Sequence, residues 1–130
     1  MSAREFFELV ASALRDRDRA AAILAEEESR AGCTSPSSGR RAPGAGDPTF
    51  RAFEHLAAQR ARCEELSGRA GGLLARAEVP DPELEAAVRL RYLHGRAPES
   101  VAACLCCSRR RVFYLLKRAF SWLDANAGGL

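Results

Sequence analysis

Apolar residues recur along this chain at the three-and-four spacing of helices, broken by two stretches that carry almost none. From Ala3 to Arg30, Phe6, Val10, Ala13, Ala20 and Leu24 lie on a stripe with a period of about 3.5 residues, with Phe7, Leu14 and Ala21 widening it. Arg17 interrupts that seam, and Arg15, Asp16, Asp18 and Arg19 form a charged outer face. The pattern predicts one long helix over residues 3–30. A second opens at Asp47 and Pro48 and runs to about Ala77, with Phe53, Leu56, Cys63, Leu66, Ala70 and Leu73 at coiled-coil spacing. Gly68, Gly71 and Gly72 predict a bend or break near its end, since each glycine costs about 1 kcal/mol in a helix interior. Between the helices the Gly-, Pro- and Ser-rich stretch 32–48 reads as a flexible loop. Residues 1–78 are therefore expected to form an antiparallel helical hairpin, each helix covering the other's stripe.

Val79-Pro80-Asp81-Pro82 separates that hairpin from a second unit, residues 81–124. Asp81 is an N-cap, Pro82 sits just inside the helix start and Gly95 just past its end. Pro98 and Glu99 open a short helix with an apolar stripe of Val101, Ala102 and Leu105. Ser108 is the N-cap of the last helix, its hydroxyl placed to accept from backbone N–H groups two or three residues on. Val112, Leu115, Leu116, Ala119, Trp122 and Leu123 form one face of that helix. Arg110, Phe113, Tyr114, Lys117 and Ser121 form the opposite face, with Arg111 and Arg118 beside it. Phe113 and Phe120 make a ridge with Leu116 that is expected to pack within the molecule. Two short helices, a tight turn and a basic helix are the layout of a DNA-binding helix-turn-helix.

Composition agrees with an all-α chain: alanine is abundant and β-branched residues are few. The net charge of +3 says little, but its distribution says more. Residues 1–50 carry seven Lys/Arg against eight Asp/Glu, whereas residues 96–123 carry six against Glu99 alone. Positive charge is concentrated on the last helix, as a nucleic-acid partner requires. Arg109, Arg110 and Arg111 also fall in the first turn of a capped helix, where cations oppose the dipole and an anionic partner would offset the cost.

The segments Val88–Gly95, Pro98–Leu105 and Ser108–Leu123 together resemble region 4 of bacterial sigma factors, in which a recognition helix reads promoter DNA. The whole chain is similar in architecture to small phage-associated sigma-like transcriptional regulators. The specific part of that similarity is the last 45 residues or so. The resemblance implies that Ser108 caps the recognition helix and that Arg109, Arg110, Arg111, Phe113, Tyr114 and Lys117 approach DNA; the charge pattern of the helix itself adds Arg118 as a phosphate contact. It also implies packing roles for Val101, Leu105, Cys107, Val112, Leu115 and Ala119. The chain departs from the pattern at Ala97, where the family has a Ser or Thr cap. It departs again at Cys106, where the family has a turn glycine, and at Phe113 and Tyr114, where sigma factors commonly carry polar residues. Segments for core-polymerase binding and promoter melting are not recognisable, which points to an accessory regulator.

The remaining chemistry is sparse. Cys104, Cys106 and Cys107 include a CxxC spacing, but no second CxxC completes a four-ligand zinc site and no βαβ context supports a redox motif. Cys107 is expected to fill a core position, with Cys104 and Cys106 incidental. His55, His94, Glu83/Glu85 and Glu26–Glu28 lie at helix ends or on polar faces, and no phosphate loop, HExxH or GxSxG is present. The expectation is a non-enzyme without cofactor or metal, cytoplasmic with reduced thiols, lacking a signal sequence or membrane span. The expected partner is duplex DNA, with RNA polymerase and a homodimer formed through the hairpin as further partners. Two alternatives stay open: a polymerase-binding module that touches DNA weakly, and a phage DNA-packaging subunit.

Overall fold

The computed structural model describes residues 1–32 and 47–126, and every regular element among them is helical. In order they are α1 (Ala3–Gly32), α2 (Pro48–Ala77), α3 (Pro82–Val88) running on into a π turn (Arg89–Leu93), α4 (Pro98–Leu105) and α5 (Arg109–Asn126). Most of the loop expected over 32–48 lies outside the described residues. No described helix is long and apolar enough to cross a membrane.

Short-range chemistry sets most boundaries. Ser2 and Glu5 form a reciprocal capping box at α1: Glu5 N–H donates to Ser2 Oγ at 3.2 Å and Ser2 N–H to Glu5 Oε2 at 3.4 Å. Asp47 accepts from Thr49 N–H at 2.8 Å, and Asp81 from Glu83 N–H at 2.9 Å, each followed by a proline, which has no N–H in need of an acceptor. Ser108 Oγ accepts from Arg111 N–H at 3.1 Å. Ala97 provides no side-chain cap to α4, as its residue type dictates. Gly95 adopts φ +68 past the π turn, a left-handed conformation that disfavours any residue with a Cβ.

The two long helices run in opposite directions. Arg69 of α2 lies over the Phe6 ring at 5.3 Å, while farther along α1 Asp16 pairs with Arg62 at 3.4 Å and Arg17 Nη1 reaches Cys63 Sγ at 3.7 Å. The α2 seam is Ala52, Leu56, Cys63, Leu66, Ala70, Leu73 and Ala77. Phe53, which the periodicity assigns to this seam, is 58% exposed, and its neighbour Ala52 is buried instead. Ala52 stands 14 residues before Leu66 and 21 before Leu73, whole heptads, so the coiled-coil register runs through it and leaves Phe53 one step off the seam. The glycine-rich end of α2 is also unbroken. A Cβ on Gly68, Gly71 or Gly72 would meet nothing within 4 Å, so these glycines are not required by packing. Leu66, Ala70, Leu73 and Leu74 are buried around them, and that tertiary burial outweighs the weak local propensity.

A single core cluster draws on all five helices. The chain boundary expected between residues 78 and 81 is a turn, with Glu78 left-handed at φ 50, and no gap in the core accompanies it. At its centre Phe7 packs on Tyr92 of the π turn (centroids 6.0 Å) and on Phe120 of α5 (5.9 Å), while Tyr92 and Phe120 meet edge-on at 5.4 Å. Burial pushes the Tyr92 phenol above its ordinary pKa, against the opposing charges of Arg91 and Arg4. Trp122, on the apolar face of α5, is half-buried, and its Nε1–H donates to the Ala77 carbonyl at 3.1 Å, tying α5 to the end of α2. The far half of the α1–α2 pair carries only a thin interior of Ala20, Ala52 and Leu56 outside the main cluster.

Candidate nucleic-acid interface

Val112, Leu115, Leu116, Ala119, Phe120 and Leu123 bury one side of α5. That burial fixes the rotation of the helix and turns Arg110, Phe113, Tyr114, Lys117 and Ser121 outward. Arg109, Arg111 and Arg118 are exposed along the edges of that face. The ridge expected from Phe113, Leu116 and Phe120 is divided: Phe120 is buried against α1 and the π turn, while Phe113 stays 48% exposed. Their positions in the helix explain the split, since seven residues of α-helix return nearly but not fully to the same angle. Tyr114, at 51% exposed, stands beside Phe113 and leaves an aromatic pair on the outer surface.

The cations of this face differ in what holds them. Arg109 Nε lies 3.3 Å from Glu99 Oε1, and its guanidinium sits 5.5 Å over the Phe113 ring. Arg111 makes a fork on Glu83, with Nε to Oε1 at 3.3 Å and Nη2 to Oε2 at 3.1 Å. That hydrogen bonding, and then the carboxylate's charge, push the Arg111 pKa above its ordinary value. Arg118 lies 5.8 Å over the Tyr114 ring and donates to the phenol oxygen at 3.4 Å. Arg110 and Lys117 have no acidic partner among the described residues.

This partition refines the electrostatics of the tri-arginine turn. Three cations at a helix N-terminus oppose its dipole. Glu99 in the first turn of α4 and Glu83 in the first turn of α3 supply two counter-charges, leaving Arg110 as the uncompensated member. Both carboxylates are visible in the sequence, but no local spacing links Glu83 to an arginine 28 residues later.

The turn before α5 also carries the cysteine cluster. Cys106 is left-handed at φ 54 and closes α4, its N–H donating to the Ala103 carbonyl at 3.3 Å. A side chain in that conformation costs roughly 1 kcal/mol or more. Cys107 is half-buried against the core, and Cys104 is exposed with Arg96 Nη1 at 3.3 Å from its sulfur. Among the described residues no three His, Cys, Asp or Glu side chains converge as metal ligands. Cys63 lies with Arg17, Arg60, Glu64 and Ser67 around a shallow cleft on the long-helix pair. Comparison of the chain with protein-family models, curated proteins and solved structures found no match, so the reading of this face rests on its own chemistry.

Proposed function

We propose that this protein binds duplex DNA in a sequence-dependent way and regulates transcription, as a sigma-like regulator of phage or prophage genes. In this reading α1 and α2 form a helical hairpin, α3 to α5 form a helix-turn-helix unit, and α5 enters the major groove. The observation that carries the reading is the two-sided α5: an apolar back that builds the core and an outer face where Arg110 and Lys117 lack acidic partners among the described residues. Arg110 suits a guanine edge, where a guanidinium donates to both O6 and N7. Lys117 stands two turns farther along, where its long, flexible ammonium arm with three donors serves a second base edge and reaches the adjoining backbone phosphate. Arg109, Arg111 and Arg118 serve phosphates, which requires Arg109 and Arg111 to exchange Glu99 and Glu83 for the backbone. Tyr114 serves either base edges or phosphates, and Ser108 holds the helix start.

Selection of ligands from a random duplex pool by the purified chain, without polymerase, tests this. A recovered motif is expected, and Arg110→Ala is expected to weaken binding to it by about 1–3 kcal/mol while relaxing preference at one position. No enrichment even at low salt refutes the reading. The exposed pair Phe113 and Tyr114 favours a second reading, a module whose main partner is RNA polymerase, and enrichment only when polymerase is present would select it. A homodimer belongs to the first reading. Exposed Ile23 and Phe53 on the far half of the long helices offer apolar contacts for a second copy, and two reading helices would then address paired half-sites.

A further inference from the structure

We propose that the cleft between the start of α1 and the far end of α5 binds a backbone phosphate of the same duplex, with Arg4 and Lys117 as its cationic grips. The inference rests on the DNA-binding reading above and extends its surface to the first helix of the chain.

Ser2, Arg4, Lys117, Phe120, Ser121 and Asp124 line this cleft, whose volume is about 600 Å3. Arg4 and Lys117 are both exposed, and neither makes an ion pair among the described residues. Arg4 is nonetheless held: its guanidinium lies 5.6 Å over the buried Phe120 ring. That stacking orders the charge before any ligand arrives, which lowers the entropy lost on binding. Ser2 Oγ accepts from Glu5 N–H, which leaves its own O–H to donate into the cleft. Asp124 is the one acid present. Its Oδ1 accepts from Ala3 N–H at 2.7 Å, so the positive end of α1 is set against its charge. Two unpaired cations converging on one cleft repel each other, and an anion between them removes that cost.

Lys117 makes the site continuous with the reading face. It lies seven residues beyond Arg110 on the same exposed side of α5, about 10 Å along the axis. A strand of B-DNA presents one charge per ~3.4 Å of its axis. A duplex engaged at Arg110 therefore has further phosphates within the span that ends at Arg4. The consequence is that α1 supplies part of the DNA-binding surface in addition to supporting it from behind.

The test measures binding of the full chain to a labelled duplex by fluorescence anisotropy, over salt from about 50 to 200 mM. Arg4→Gln is expected to flatten the dependence of log affinity on log salt by about one unit. At the low-salt end it should weaken binding roughly three- to ten-fold, equally for selected and unrelated sequences, because phosphate contacts carry no base preference. Lys117→Gln is expected to flatten the slope likewise. Arg4→Lys keeps the charge and should restore most of the slope, which separates a phosphate contact from lost stacking on Phe120. Arg60→Gln removes the same charge from α2 and should leave the slope within about a third of a unit of wild type. An Arg4→Gln slope equal to that of wild type or of Arg60→Gln overturns this inference while leaving the DNA reading intact. Failure of Arg4→Lys to recover the slope also overturns it, and failure of the wild-type chain to bind any duplex overturns both.

Discussion

Removal of the Phe7 ring tests whether α1 and α5 belong to one cooperative unit. Phe7 is 0% exposed and touches both Tyr92 and Phe120, with interplanar angles of 62° and 41°. Truncating a buried phenylalanine to alanine costs about 3–5 kcal/mol through lost transfer energy and the remaining cavity. Each aromatic contact contributes roughly 0.5–1.5 kcal/mol of that beyond simple burial. Single domains are stable by about 5–15 kcal/mol, so Phe7→Ala should remove roughly a fifth or more of the total. Phe7→Leu, which keeps most of the volume, should cost under about 2 kcal/mol. The assay is urea unfolding read by far-ultraviolet circular dichroism and by the fluorescence of Trp122. That indole is anchored on the Ala77 carbonyl, so it reports the junction of α5 with α2. For a urea dependence of about 2 kcal/mol per molar, the alanine midpoint should fall by roughly 1.5–2.5 M. Both probes should give coincident curves in the wild type and shift together in the variant. A Trp122 transition that stays in place while helicity is lost earlier would refute the shared core and show that the C-terminal helices fold without α1.

Two further outcomes follow from local geometry. Gly72→Ala, at an exposed helical position with open space around its Cα, should stabilise the chain by about 0.5–1 kcal/mol and raise the melting temperature by about 2–4 °C, measured by thermal circular dichroism. A lower melting temperature would mean that these glycines serve a purpose the fold does not reveal. Cys106→Gly should stabilise by up to about 1 kcal/mol in the same assay, because glycine adopts φ 54 without the Cβ penalty. A loss of stability there would contradict the strain argument.

The parts of this chain that were readable in one dimension depend on neighbours a few residues apart. Asp47, Asp81 and Ser108 cap the helices they precede, and Gly95 takes the left-handed turn, because each acts on backbone groups within one turn. The division of α5 into a buried and a cationic side was legible for the same reason, as a helix repeats its angle every few residues. Misreadings arose where two adjacent residues compete for one place. Phe53 looks the better seam residue by its size, yet the heptad register that runs back from Leu73 and Leu66 passes through Ala52. Gly68, Gly71 and Gly72 look like a break until the leucines around them are buried.

The candidate site follows the same division. Its residue types, Arg110, Phe113, Tyr114 and Lys117, and their common face were determined by sequence, since both follow from spacing on a single helix. The charge state of the surface as a partner would meet it was decided only in three dimensions. Glu83 and Glu99 reach the tri-arginine turn from two other helices, leaving Arg110 uncompensated, and the fold brings Arg4 beside Lys117 across more than a hundred residues. Periodicity specifies which side of a helix is buried, because that depends on the helix alone. Which charges meet across helices depends on how those buried sides pack, and no local pattern in the chain encodes that distance.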